Sequence, residues 1–323
     1  MSAKAVGSGI RSKVWWPWAK RTATLLFFAV VAWLLFEQAR AIDWHEVLST
    51  LHGYPRASLL SAAALAATSL LLYSCFDLLG RHYTGHRLRT PSVMLVTFTS
   101  YVLNLNLGSL VGGVAMRYRL YSRLGLPLGV ITRVLTMSML TNWLGYLLLG
   151  GFVFSFFTPD LPPSWKIGSA GLQILGFVLL GIALVYLGLC AFSRQRSFTV
   201  RGHELTLPSG RLALLQLSLG ALNWGIMGGV VFVLLQQTVA YPAVLSVLLV
   251  AAVAGVITHV PAGLGVLEAV FVALLSHQLP QHELLAGLVA YRIIYYLAPL
   301  AIAAVAVLIM ESRAKALGQV KAA

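Results

Sequence analysis

Glu268 and Arg292 are charged residues set deep in apolar sequence. Glu268 stands in I-T-H-V-P-A-G-L-G-V-L-E-A-V-F (residues 257–271) and Arg292 in Y-R-I-I-Y-Y (residues 291–296). A carboxylate at the centre of a bilayer costs about 2.5–3.5 kcal/mol on insertion scales, so such a group is read as functional and paired. An isolated arginine is as costly, and Glu268 is its expected partner. A pair of this kind can serve as a gate or a proton-coupled switch; it can equally be a structural ion pair. His259 could relay protons or contact a headgroup, or be a hydrogen-bonded structural group. Pro261, Gly263 and Gly265 should break the apolar run that starts at Val244, with a second apolar half from Gly265 to about Leu275.

A second set of polar residues interrupts the segment Val93–Met116, whose centre reads N-L-N-L-G-S-L-V-G-G and contains Asn104, Gly112 and Gly113. Arg117, Arg119 and Arg123 follow. Backbone N–H groups at a helix start attract phosphate, and arginine forks bind it in two-pronged fashion. Arg117, nearest the break, and Arg119 are therefore candidate phosphate contacts. The alternative is three anchors that snorkel to lipid headgroups. Asp77, near the cytoplasmic end of an apolar helix, reads as interfacial. Asn104, Asn106, Asn142 and Asn223 can bond between helices, and the GxxxG spacings Gly108/Gly112 and Gly225/Gly229 suit close helix packing.

Other chemistry finds little support. There is no G-x-S-x-G, H-E-x-x-H, P-loop or dinucleotide-binding turn. With 9 acidic residues in all, no carboxylate pair can be placed in a cleft. Cys75 and Cys190 form neither a disulfide framework nor a metal spacing. The expectation is a protein that is not an enzyme and needs no cofactor or metal.

The elements that position these residues are membrane helices. Of 323 residues, 59% are hydrophobic and 10% charged, against about 25% charged in soluble domains. The net charge of +14 does not point to nucleic acid, because the cations sit at the ends of apolar runs, where they set orientation and meet anionic lipid. The run Thr22–Phe36 followed by Ala39-Arg40-Ala41 resembles a cleavable signal, but an uncleaved first helix (22–38) fits the topology better. Further spans are expected at 57–79, 129–157, 171–192, 212–235 and 284–310, with an outer, partly helical loop at 37–56 and a small hairpin around R-G-H-E. If 93–116 and 244–275 each dip in and return, every lysine and arginine is cytoplasmic except Arg40, Arg56, Lys166 and the helix-borne Arg133 and Arg292. A full crossing at 93–116 would instead put seven arginines outside, against the positive-inside rule.

The expected fold is thus an all-α polytopic membrane protein of six full transmembrane helices plus two re-entrant broken-helix elements, arranged as inverted repeats in one domain. A basic N-terminus (1–21) and tail (311–323) lie in the cytoplasm, flanking a first repeat at 22–169 and a second at 170–310. In secondary transporters, inverted repeats with broken helices put the substrate site near the midplane.

The runs Tyr101–Gly125, Thr141–Tyr146, His259–Phe271 and Tyr291–Leu300 together resemble the transmembrane, flippase-like region of the lysylphosphatidylglycerol synthases, above all its free-standing bacterial inner-membrane members. The likeness covers nearly the whole chain. It implies a domain that moves, or helps move, phospholipid between leaflets. Positions that match its motifs are Asn104, Gly112, Gly113, Arg117, Pro261, Gly263, Gly265, Glu268 and Arg292. The synthases follow this region with a soluble aminoacyl-transferase domain, and this sequence stops at Ala323, so only the translocation half is expected here. The implied partner is membrane phospholipid, most readily anionic. A membrane protein that passes lipid to synthesis enzymes or periplasmic carriers, and a small-solute or ion transporter, are the other readings.

Overall fold

The computed structural model describes residues 44–157, 168–194, 197–200, 203–258, 260 and 263–306. Eleven α-helices succeed one another among the described residues. The short helix α1 (Trp44–His52) precedes α2 (Arg56–Ser74) and α3 (Phe76–Thr84); α4 (Thr90–Leu107) leads into a π-helical segment, Ser109–Ala115. Then come α5 (Met116–Arg123), α6 (Leu128–Phe156), α7 (Ser169–Phe192), a two-stranded hairpin of β1 (Ser197–Val200) and β2 (His203–Thr206), and α8 (Gly210–Leu234). The series ends with α9 (Tyr241–Thr258), α10 (Val266–Leu275) and α11 (Gln281–Tyr291), which continues through a second π-helical segment, Arg292–Leu297, to Ala306.

Proline marks where many of these helices begin, because its missing N–H is one that a first turn leaves unbonded anyway. Pro55, Pro127 and Pro280 cap α2, α6 and α11, and Pro91 lies in the first turn of α4. The antiparallel hairpin pairs Val200 with His203, as the polar R-G-H-E stretch suggested.

Six stretches among the described residues are long and apolar enough to cross a membrane: Arg56–Thr84, Leu128–Phe156, Ser169–Phe192, Gly210–Leu234, Tyr241–Thr258 and Gln281–Ala306. Five coincide with expected spans. The sixth is the first arm of the segment expected to break, and the expected first span, 22–38, lies outside the described residues. The span expected at 57–79 extends to Thr84 and is offset at Cys75, where α2 gives way to α3.

α8 is the central helix, packing on α2, α6, α7, α9 and α11. Around it the core gathers Trp224, Val231, Leu248, Phe271, Leu288 and Tyr295. α7 is the opposite case: Ile174, Phe177 and Val185 are more than half exposed, so it presents its side chains outward, as a lipid-facing helix does.

The tightest helix crossing joins α6 to α8. A Cβ built on Gly145 would lie 2.1 Å from the carbonyl carbon of Gly220. The expected GxxxG pair Gly225/Gly229 makes only ordinary contacts, the nearest atom to a Cβ on Gly229 being 3.7 Å away. Gly145→Ala is therefore expected to push α6 off α8 and to cost about 1–3 kcal/mol, the usual range for overpacking. The thermal midpoint in detergent reads this directly. Gly181→Ala, with nothing within 4 Å, is the control and should be neutral or stabilising.

Candidate functional site

The apolar run ends where its prolines and glycines predict. α9 stops at Thr258 and helix resumes at Val266. Gly263 (φ +57°) and Gly265 (φ +76°) both adopt the left-handed backbone that side chains with a Cβ rarely take, and Gly265 caps α10. α10 folds back against α9 as the second arm of a helical hairpin. Glu268 sits in the first turn of α10, where the helix dipole favours a carboxylate.

Arg292 opens the second π-helical segment and reaches across to that turn. Its Nε donates to Glu268 Oε1 at 2.6 Å and its Nη2 to Oε2 at 3.1 Å, a two-pronged bond. The same Nη2 donates to the Gly263 carbonyl at 2.9 Å, and the guanidinium lies 5.1 Å from the Tyr296 ring centroid. One side chain thus fixes the broken backbone and the acid together. The expected pairing of Glu268 with Arg292 is present. His259 and Pro261 lie outside the described residues.

The first polar stretch also forms a hairpin, but its turn comes earlier than the Gly112-Gly113 helix start that the sequence suggested. The reversal is at Gly108 (φ +85°, ψ 167°), and the π-helical segment folds back on α4. A Cβ on Gly112 would meet the Leu103 backbone at 2.1 Å, so glycine permits the return. The Gly112 N–H is not available to a phosphate, since it donates to the Gly108 carbonyl at 2.9 Å. Gly113 packs on Asn104, whose Oδ1 would lie 3.0 Å from an added Cβ.

Asp77 does not face outward as an interfacial side chain would. It is fully buried, and Arg117, 3% exposed, is its partner: Nε donates to Oδ2 at 3.1 Å and Nη2 to Oδ1 at 3.3 Å. Tyr121 adds a hydroxyl bond to Oδ2 at 2.8 Å, while Arg117 also bonds the Gly113 carbonyl and Ser138. The physical reason is that a carboxylate and a guanidinium in apolar surroundings must satisfy each other. Arg119 is exposed on α5.

The two ion pairs differ in exposure. Asp77–Arg117 is sealed, at 0% and 3% exposure. Glu268–Arg292 is open, at 21% and 15%. The second pair thus has exposed surface and the first has almost none.

The hairpins meet at the Arg292 segment. Asn106, two residues before the Gly108 reversal, donates from Nδ2 to the Tyr296 carbonyl at 3.3 Å. Tyr101 on α4 and Tyr295 join hydroxyls at 3.4 Å; Tyr295 meets Ser69 at 2.7 Å, and Ser69 donates to Asn223 Oδ1 at 2.8 Å. Tyr73 stacks on Tyr101 with centroids 3.5 Å apart. Sequence reasoning found Asn223 as an interhelix amide, put Asp77 at the interface, and missed Ser69 and these tyrosines. The trace that could have found Asp77 is F-D-L-L, an acid inside an apolar helix. Ser69→Ala removes a bridge between three helices and is expected to lower the unfolding free energy by about 0.6–1.7 kcal/mol, the range for membrane interhelix bonds. Thermal unfolding beside Ser61→Ala, an exposed serine on the same helix, checks it.

Among the described residues no group of three His, Cys, Asp or Glu could hold a metal ion.

The family model described as the lysylphosphatidylglycerol synthase TM region matches residues 22–303, which include both hairpins and both ion pairs. The chain is 48% identical over 303 residues to inner membrane protein YbhN of Escherichia coli (strain K12), covering 94% of this chain and 95% of that protein. It is 31% identical over 260 residues to the uncharacterized protein slr0712 of Synechocystis sp. (strain ATCC 27184 / PCC 6803 / Kazusa), covering 80% of each.

Proposed function

The chain belongs to the lysylphosphatidylglycerol synthase transmembrane-region family, a membrane family linked to lipid handling, and from that premise we propose that it is a phospholipid translocator of the bacterial inner membrane. The observation that carries the proposal is the open Glu268–Arg292 pair at the break of one hairpin, bonded through the Tyr296 carbonyl to the tip of the other.

In this reading the hairpins are re-entrant and enter from opposite sides, with both termini cytoplasmic. Length supports it. The 10 residues of α10 rise about 15 Å, half the roughly 30 Å hydrocarbon core, so that arm cannot cross alone. Lipid phosphate competes with Glu268 for the Arg292 fork, since carboxylate and phosphate present the same paired oxygens. Glu268 returns to Arg292 as the lipid leaves, which keeps the phosphate from being trapped. Arg117 does not take phosphate; it locks the first hairpin to α3 through Asp77. Anionic phospholipid is the favoured cargo, because the net charge of +14 and the exposed Arg119 and Arg123 of α5 draw acidic headgroups toward the cytoplasmic face.

The test is leaflet exchange in liposomes that contain purified protein and labelled phosphatidylglycerol or phosphatidylcholine. Protein-dependent exchange, faster for phosphatidylglycerol, is the expected result. Exchange no faster than in protein-free liposomes, from folded protein with and without a pH gradient, would remove the translocator and leave a membrane partner that passes lipid to other proteins.

A further inference from the structure

A second polar site lies at the far end of the bundle from the arginine-rich connections. Three chain connections meet there: Thr50 to Pro55 between α1 and α2, Leu235 and Gln236 after α8, and Leu279 to Glu283 at the start of α11. They enclose a cleft of about 240 Å³. That is below the roughly 300–1,000 Å³ of pockets for drug-sized ligands, so the cleft suits a small molecule or a headgroup and not a whole lipid.

Its polar groups are set in fixed directions. Gln236 Oε1 accepts from Ser58 Oγ at 3.1 Å, which orients the amide, and Gln236 Nε2 is buried with no acceptor among the described residues. Buried amide N–H groups nearly always have partners, so this one is placed for an oxygen that none of the described residues supplies. Gln236 (φ 53°) and Gln237 (φ 60°) are successive left-handed residues that are not glycine, a strain that tends to persist at ligand sites. Tyr54 donates its hydroxyl to the Leu234 carbonyl at 2.8 Å, and burial together with Glu283 pushes its pKa up to about 12, so it stays a donor. Glu283 brings a carboxyl to the cleft, beside His282 at 4.0 Å.

We propose that this cleft binds a small ammonium-bearing ligand that also carries an oxygen acceptor, such as an ethanolamine phosphate group. The ammonium pairs with Glu283, and the oxygen accepts from Gln236 Nε2. The ligand's source is either the headgroup of an ethanolamine phospholipid or a free amine of the same chemistry. The site is separate from Arg292 and stands whether or not the protein moves lipid.

The experiment titrates the full-length protein in detergent with O-phosphoethanolamine, read by saturation-transfer NMR. Saturable binding is expected, weakened at least tenfold in Glu283→Gln and at least threefold in Gln236→Leu. Glu283 is 43% exposed on its side chain, so its variant should fold even if Gln236→Leu does not. Repeating the titration in nanodiscs of phosphatidylglycerol, with and without phosphatidylethanolamine, separates the sources. Competition by phosphatidylethanolamine assigns the site to the lipid headgroup, and undiminished binding assigns it to a soluble amine. Absence of saturable binding to the wild type, equal binding by Glu283→Gln, or equal binding of phosphocholine, which has no ammonium N–H, would overturn the proposal.

Discussion

Asp77→Ala is expected to lower the unfolding free energy by about 3–5 kcal/mol, one of the largest effects any single substitution here should have. The carboxylate is fully buried and receives three bonds, two from Arg117 and one from the Tyr121 hydroxyl. Its removal leaves the Arg117 guanidinium in apolar surroundings with only a carbonyl and the Ser138 hydroxyl. Water cannot easily take the place of the lost charge, because Arg117 is 3% exposed. The double variant Asp77→Leu with Arg117→Met should recover most of the loss, since an apolar pair removes both desolvation costs. Chemical unfolding of the purified protein in detergent checks both. A single variant as stable as the wild type would mean that water reaches this pair.

Glu268→Gln should behave differently. The pair is partly open, so the fold should survive with a modest loss of thermal midpoint. Leaflet exchange should fall much more. Glutamine keeps the shape but cannot displace a phosphate from Arg292 as a carboxylate does. A hydrogen bond to a charged group contributes about 1.5–3 kcal/mol, which corresponds to a rate loss of about 10- to 150-fold if that displacement limits turnover. The same variant should retain more phosphatidylglycerol on purification, because Arg292 loses its competitor. Wild-type exchange and wild-type lipid content together would reduce the pair to a structural brace.

Much of this site is legible in the linear chain. Pro261, Gly263 and Gly265 announce a break because their backbone chemistry is local, and Glu268 and Arg292 find each other because two opposite charges in apolar sequence have few other choices. Asp77 and Arg117 obey the same logic, yet the linear chain hides their pairing. The arginine stands among Arg119 and Arg123, and a cluster of cations at a helix end reads as an interface anchor. Gly108 reads as a packing glycine and not as the point of reversal, because Gly112-Gly113 offers a stronger pattern nearby. The crossing at Gly145 and Gly220 follows from the angle between two helices, which no spacing within one helix encodes. The tyrosine chain from Tyr73 through Tyr101 to Tyr295 joins residues distant in sequence, and each alone looks like an ordinary aromatic of a membrane helix.

The proposed lipid path requires two hairpins that open to opposite faces of one membrane, and cysteine accessibility measures this directly. With Cys75 and Cys190 first replaced by alanine, single cysteines are placed at Arg89 and Ser122, which flank the first hairpin, and at Thr238 and His277, which flank the second. All four positions are exposed. In sealed, oriented vesicles a membrane-impermeant maleimide should label Arg89→Cys and Ser122→Cys from the cytoplasmic side only, and Thr238→Cys and His277→Cys from the other side only. Labelling of Arg89→Cys and Ser122→Cys from opposite sides would make the first hairpin a full crossing and contradict the inverted arrangement.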